Sequence, residues 1–260
     1  MASGRTAERI VDAARLTGKE TVIEVGPGEG ALTRPLLSRA GKLLAIEIDP
    51  ARAGWLAAEL LDVDNVRVLQ GDVLGKSFQD WLAAVGWRGP AVLVGNLPYN
   101  AATPILTAAI EDSAITRAVA TVQREVARRF AARPGREGYG YLSVRTAAFG
   151  RAQVLFDLPP GAFRPRPKVV SSVLELSPRE QPLDPRRRAA ALRLASLGFR
   201  SRRKTLANAL ASLAPRANWE VALGAIGKGP QARAEELSLE DFLALASAVD
   251  CRLSTVDLSS

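Results

Sequence analysis

VIEVGPGEGALT, from Val22 to Thr33, changes character twice over its length. Val22 to Val25 reads as a short buried strand, Gly26, Gly28 and Gly30 as a loop that lets a ligand approach the backbone, and Ala31 onward as a helix. The N-terminus of such a helix favours a ligand with electron-rich or anionic groups. Strand, glycine loop and helix in this order open an α/β unit. Glu24 stands inside the strand, an odd place for a carboxylate unless it orders the loop or meets a cation.

Outward from this stretch the alternation continues. Strands are expected near 21–25, 43–48, 66–69, 91–95, 117–122, 152–157 and 170–176, with helical stretches such as 31–40, 50–61 and 103–112 between them. That is the pattern of an α/β, doubly wound, Rossmann-like sheet, in which ligands sit at the carboxyl ends of the strands. Acidic residues fall at those ends. Glu47 lies at the end of the second strand with Ile48, about 20 residues past the glycines, where a carboxylate can grip two ribose hydroxyls. Asp72, in Gly71-Asp72-Val73 after the third strand, is placed to accept a hydrogen bond from an adenine amine.

The fourth strand runs into NLPYNAATP, Asn96 to Pro104. Asn, Pro and Tyr are also at home in an ordinary strand-to-helix turn. Their chemistry here is that of a socket for an exocyclic amine on a flat ring. Asn96 accepts through its side-chain oxygen, Pro98 fixes φ and directs a backbone carbonyl at a second N–H, and Tyr99 lies against the ring. The glycine loop also satisfies the dinucleotide pattern G-x-G-x-x-A, which keeps a nicotinamide enzyme in play on that motif alone. Neither Glu24 nor the NLPY element has a use in hydride transfer, whereas S-adenosylmethionine, with an adenosine and a charged amino-acid arm, accounts for both.

With these pieces in order, the chain resembles the ribosomal RNA small-subunit adenine dimethyltransferases, the kasugamycin-resistance methylases. The likeness continues through VQREVARRF (Val122 to Phe130), GYGYLSV (Gly138 to Val144), LPPGAFRPRPKVVSSVLEL (Leu158 to Leu176) and FRSRRKTLANAL (Phe199 to Leu210), with PxPKVxS and RRKT as its most specific parts. It implies a Rossmann-like S-adenosylmethionine-dependent methyltransferase domain over residues 1–177 and a small all-helical domain over 178–260 that binds RNA or the ribosome. Glu24, Gly26, Gly28, Glu47, Ile48, Asp72, Val73 and Asn96 would then line the cofactor site. Asn96, Pro98 and Tyr99 would hold the target adenine, and Phe163 would pack against it from the other side. The implied reaction is two methyl transfers on each of two adjacent adenosines near the 3′ end of small-subunit (16S) ribosomal RNA. The partner would be that RNA or the pre-30S particle, met by a cytoplasmic monomer during ribosome assembly.

Members of the family usually begin with a basic arm and a segment close to GQNFL. Here Met1-Ala2-Ser3-Gly4 leads directly into a helix expected over Arg5 to Leu16, so part of the lid over the cofactor is expected to be lacking, at a cost to cofactor affinity more than to fold. Two alternatives stay open beside the main reading: a related methylase acting on large-subunit RNA in antibiotic resistance, and a non-catalytic ribosome-assembly factor.

Composition agrees. A chain of 260 residues with 47% hydrophobic content can bury one good core and a small second one. No apolar run approaches the ~18 residues of a membrane span, no signal peptide is evident, and the single cysteine, Cys251, excludes an intrachain disulfide. The net charge of +8 is unevenly placed. Residues 1–122 hold 12 basic and 14 acidic residues, residues 123–168 hold 10 and 3, and residues 179–204 hold 9 and 2. Two basic blocks point to a polyanion, since Lys and Arg gain affinity by releasing counterions from phosphates.

Ser177 to Pro185, with three prolines, reads as a linker, and 186–249 as short helices broken at Pro215 and at Gly227 to Pro230. Trp55, Trp81, Trp87 and Trp219 are expected to serve packing. Arg133 to Gly138 reads equally as an RNA contact or as a connector. The chain has no histidine, so the chemistry is expected to run without the commonest general base or metal ligand, and no metal site is expected. Adenine N6 is a poor nucleophile while its lone pair is delocalised into the ring. Hydrogen bonds from its two N–H groups to Asn96 and Pro98 would favour the pyramidal form in which charge develops on nitrogen, and water can take the proton.

Overall fold

The computed structural model describes residues 4–248. Cys251 lies outside them. The described residues fall into two compact units, one running through Arg128 and resuming at Gly150–Pro178, the other made of Arg129–Phe149 and the chain from Arg179. The division differs from a cut after residue 177, because the segment 129–149 leaves the sheet and returns to it.

Seven strands form one sheet: β1 (Thr21–Val25), β2 (Lys42–Glu47), β3 (Val66–Gln70), β4 (Ala91–Asn96), β5 (Ile115–Gln123), β6 (Gly150–Leu158) and β7 (Ser171–Pro178). Their order is β3-β2-β1-β4-β5-β7-β6. The first five are parallel, and β7 is inserted antiparallel between β5 and β6. Within the parallel part β1, β2 and β4 are buried almost end to end, as AVLVGN in β4, whereas β3, at the sheet edge, is largely half-exposed. Edge strand β6 instead alternates between exposed and more buried residues along much of its length. The seven expected strands are the seven observed, with ends moved by up to two residues.

The helices are α1 (Gly4–Ala13), α2 (Thr33–Leu37), α3 (Pro50–Glu59), α4 (Phe78–Ala83), α5 (Ala102–Glu111), α6 (Arg124–Ala131), α7 (Tyr141–Phe149), α8 (Pro185–Arg200), α9 (Leu206–Ala209), α10 (Arg216–Ala225) and α11 (Leu239–Ala248). The helix expected over 31–40 shrinks to the five residues of α2, because turns occupy the chain as far as Leu32 and Ser38 closes the far end. An anion-binding helix start after the glycine loop is therefore not available. α3 begins on firm local chemistry: the Asp49 carboxylate accepts from the Ala51 and Arg52 N–H groups, with Pro50 in the first turn.

In the first unit, Ile10, Leu36, Leu43, Leu56, Val92 and Val94 are buried in one apolar cluster against the sheet. The second unit is all-helical. Its α8 runs 16 residues, longer than the short helices expected there, and packs against α7 and α11. Its core gathers Leu194, Leu206, Trp219, Leu223, Phe242 and Leu245, and the Trp219 indole donates to the Leu210 carbonyl at 3.0 Å. Pro215 caps the start of α10, the break expected of it. Trp81 and Trp219 are core residues, whereas Trp55 is 50% exposed.

Candidate active site

Parallel pairing sets the site. Glu24 lies opposite Ala45 on β2 and Val94 on β4, and Glu47 opposite Gln70 on β3. The carboxyl ends of β1, β2, β3 and β4 thus form one edge, from which the glycine loop, Glu47, Asp72 and Asn96 emerge.

At β1 the chain turns out through Gly26 and Gly28, with φ of 68° and 58°. A Cβ at either position would meet no atom within 4 Å, so open space abuts this backbone. The loop is pinned from β2. Glu47, buried, accepts the Gly28 N–H on one carboxylate oxygen at 2.9 Å and the Asp49 N–H on the other at 3.1 Å. Each oxygen keeps a lone pair for a further donor.

A cleft of about 300 Å³ opens at this loop, lined among others by Glu24, Gly26, Gly28, Arg52, Asn96 and Arg164. Glu24 is 1% exposed, and its Oε2 has no hydrogen-bond partner; the buried Thr33 hydroxyl has none either. Burial pushes the Glu24 carboxyl up to about 8. Thr33, near enough to favour the charged form although the pair does not meet hydrogen-bond geometry, opposes the shift, and the Glu47 charge adds to it. A buried carboxyl of this kind, lacking a donor and lining a cleft, fits a ligand that brings a cationic amine to it. That is the donor S-adenosylmethionine carries on its amino-acid arm.

The other expected cofactor residues lie farther along the edge, outside the lining of this cleft. Ile48 is 64% exposed immediately after Glu47, an apolar surface for a flat ring. Asp72 is exposed and caps a short 3-10 turn by accepting from the Leu74 N–H at 3.0 Å, while Val73 is buried beneath it.

Among the four residues expected to handle the target base, the structure changes the roles of two. Asn96 is half-buried at the end of β4 and faces the cleft, as required of an acceptor. The Pro98 carbonyl, expected to meet a second amine N–H, is engaged by the Ala101 and Ala102 N–H groups at 3.0 and 2.9 Å, because it begins the turn into α5. No backbone donor among the described residues reaches the Leu97 carbonyl one position earlier, although the Leu97 N–H donates to Thr121. Phe163 is 7% exposed and belongs to the apolar cluster with Leu158 and Val173, so its ring has little open face for a base here.

Tyr99 is half-buried, and its hydroxyl bonds the Ser171 hydroxyl at 2.9 Å. Ser171 is fully buried at the start of β7. Sequence reasoning missed this partner, as it missed Arg52, Arg164 and the Leu97 carbonyl. Ser171 and Arg164 do lie in the segment that carries the most specific part of the resemblance, but nothing in their spacing assigns them to the site.

The sequence matches the family described as ribosomal RNA adenine dimethylase over residues 1–250. A relative from Xanthomonas campestris pv. campestris (strain B100), ribosomal RNA small subunit methyltransferase A, is 41% identical over 244 residues, covering 92% of this chain and 89% of its own. Its counterpart in Xanthomonas axonopodis pv. citri (strain 306) is 41% identical over 247 residues, with the same coverage. The crystal structure of the 23S rRNA methyltransferase ErmE superposes with a TM-score of 0.75 at 29% identity, covering 95% of this chain and 98% of that one. A dimethyladenosine transferase from Plasmodium falciparum shares the fold, with a TM-score of 0.77 at 24% identity over 94% of this chain and 95% of the other.

Proposed function

The chain belongs to the ribosomal RNA adenine dimethylase family, and from that premise we propose that it dimethylates N6 of two adjacent adenosines near the 3′ end of small-subunit ribosomal RNA. It is an S-adenosylmethionine-dependent methyltransferase with a Rossmann-like fold. The observation that carries the site is the meeting of Asn96 with the Glu24, Gly26 and Gly28 loop around one cleft. Identity of 41% over 92% of the chain to a relative described as ribosomal RNA small subunit methyltransferase A supports the substrate.

Bound S-adenosylmethionine would supply a methyl group on a sulfonium centre. Glu24 meets the ammonium of its amino-acid arm, Glu47 the ribose hydroxyls, and Ile48, Asp72 and Val73 the adenine. On the substrate side, the Asn96 side-chain oxygen accepts one N–H of the target amine. With the Pro98 carbonyl committed to α5, the Leu97 carbonyl is the backbone acceptor for the second. Two such bonds favour the pyramidal amine and lower the barrier by stabilising charge as it develops. Tyr99, its ring held through Ser171, stacks on a base drawn out of the RNA, a contact worth ~1–3 kcal/mol. The proton leaves to water.

The basic segments 123–168 and 179–204 meet phosphates. We extend the proposal to a cytoplasmic monomer with an RNA-binding helical unit; among the described residues no helix is long and apolar enough to cross a membrane. The test is incubation with labelled S-adenosylmethionine and, in parallel, undermethylated small and large ribosomal subunits, the products mapped by mass spectrometry. Asn96→Ala should abolish transfer and leave RNA binding intact. Normal binding to the particle with no transfer by the wild type would make the chain an assembly factor, and label on large-subunit RNA alone would reverse the choice of substrate.

A further inference from the structure

The helical unit carries a groove of about 660 Å³ that the methyl-transfer chemistry does not use. One wall is α7, presenting Tyr141, Arg145 and Phe149 at successive turns. The other is α8, presenting Arg188, Leu192, Arg193, Ser196 and Arg200, the spacing of one helical face. Four arginines line it, and no Asp or Glu does among the described residues.

Charge and shape agree on the occupant. Half-buried Leu192, Leu197 and Leu213 give the groove an apolar floor, which a purely solvated basic face does not need. The Arg188 guanidinium carbon lies over the Phe149 ring, 4.3 Å from its centroid, a planar cation whose chemistry suits pairing with a phosphate or stacking on a base. Half-buried Tyr141 adds a second aromatic body. Arginine planes beside aromatic rings in a basic groove are the chemistry of unpaired RNA, in which phosphates track the charges and splayed bases stack.

We propose that the groove between α7 and α8 is an RNA-docking site, binding a short looped or single-stranded stretch of ribosomal RNA by its phosphates and one stacked base. It anchors the substrate through residues that do not line the methyl-transfer cleft. The proposal rests on the ribosomal RNA reading above, and the test separates the two.

Binding of a small-subunit ribosomal RNA transcript is measured by fluorescence anisotropy over a range of salt, with S-adenosylmethionine affinity measured by calorimetry on the same samples. The double variant Arg188→Gln/Arg200→Gln should lower the slope of log Kd against log salt by about 1.4–1.8 and weaken binding roughly tenfold or more near physiological salt. Ser196→Glu, which puts a carboxylate among the arginines, should do the same without removing any arginine, and it carries the test if circular dichroism shows the double variant unfolded. S-adenosylmethionine affinity should not move. Folded variants that bind RNA with wild-type affinity and slope overturn the groove alone. A wild type that binds S-adenosylmethionine but no ribosomal RNA overturns the functional reading along with it.

Discussion

Glu24→Gln isolates the least ordinary group in the molecule. Glu24 is 1% exposed with no partner for Oε2, and burial raises it from 4.5 to about 8. The folded protein therefore holds this proton up to about pH 8, while the unfolded chain gives it up near 4.5. Between those values the folded state binds more protons, so stability falls as pH rises. The contribution is complete below 4.5 and lost above about 8. A gap from 4.5 to about 8, at about 1.4 kcal/mol per unit, sets a ceiling of about 5 kcal/mol, and water entering the cleft reduces it towards about 2.

Glutamine has the same shape and no charge to desolvate. Urea unfolding of wild type and variant at intervals from pH 5 to 9 should give a stability difference that shifts in favour of the variant by about 2–5 kcal/mol across that range and then levels off. A difference constant to within about 0.5 kcal/mol would refute the reasoning, since Glu24 would then ionise alike in both states. The variant should also bind S-adenosylmethionine more weakly, because it lacks the carboxylate that meets the ammonium.

Ser171→Ala removes the partner of the Tyr99 hydroxyl and should cost about 1–2 kcal/mol of stability. The methylation assay should show kcat falling with S-adenosylmethionine affinity unchanged, and the double variant with Tyr99→Phe should be no worse than the worse single one. Gly28→Ala meets no clash but places alanine at φ 58°, a strain of roughly 1–2 kcal/mol. Calorimetry should show weaker cofactor binding, while Asn96 and its RNA contacts stay in place. Gly198→Ala sets two effects against each other inside α8. Helix propensity gains about 1 kcal/mol, but the new Cβ would lie 2.9 Å from the Ala234 Cβ and 2.8 Å from Leu206 Cδ1. Overpacking costs typically 1–3 kcal/mol, so thermal denaturation should show a lower Tm, and a raised Tm would mean that the helical core yields easily.

Strand positions, the glycine loop and the acids at the strand ends were all readable along the chain, because apolar runs, turn residues and the spacing between them are local properties. Their meeting at one edge also followed, since parallel strands joined by crossovers bring every carboxyl end to the same side. The helix after the glycines was overestimated, because helix-forming residues from Ala31 say nothing of where the glycine turn releases the chain.

The sequence by itself determined the class of fold, through residue types at fixed separations, and pointed to the cofactor and the chemistry through its motifs together with the family they resemble. Only the tertiary structure decided which groups are free to act. The Pro98 carbonyl is consumed by the turn that follows it, Tyr99 is held by a serine 72 residues away, and Glu24 is left without a donor. It also decided that 129–149 groups with the helices and forms the arginine groove with α8. Hydrogen-bond partners, burial and the walls of a groove depend on which distant segments pack together, and no periodicity within a segment encodes that choice.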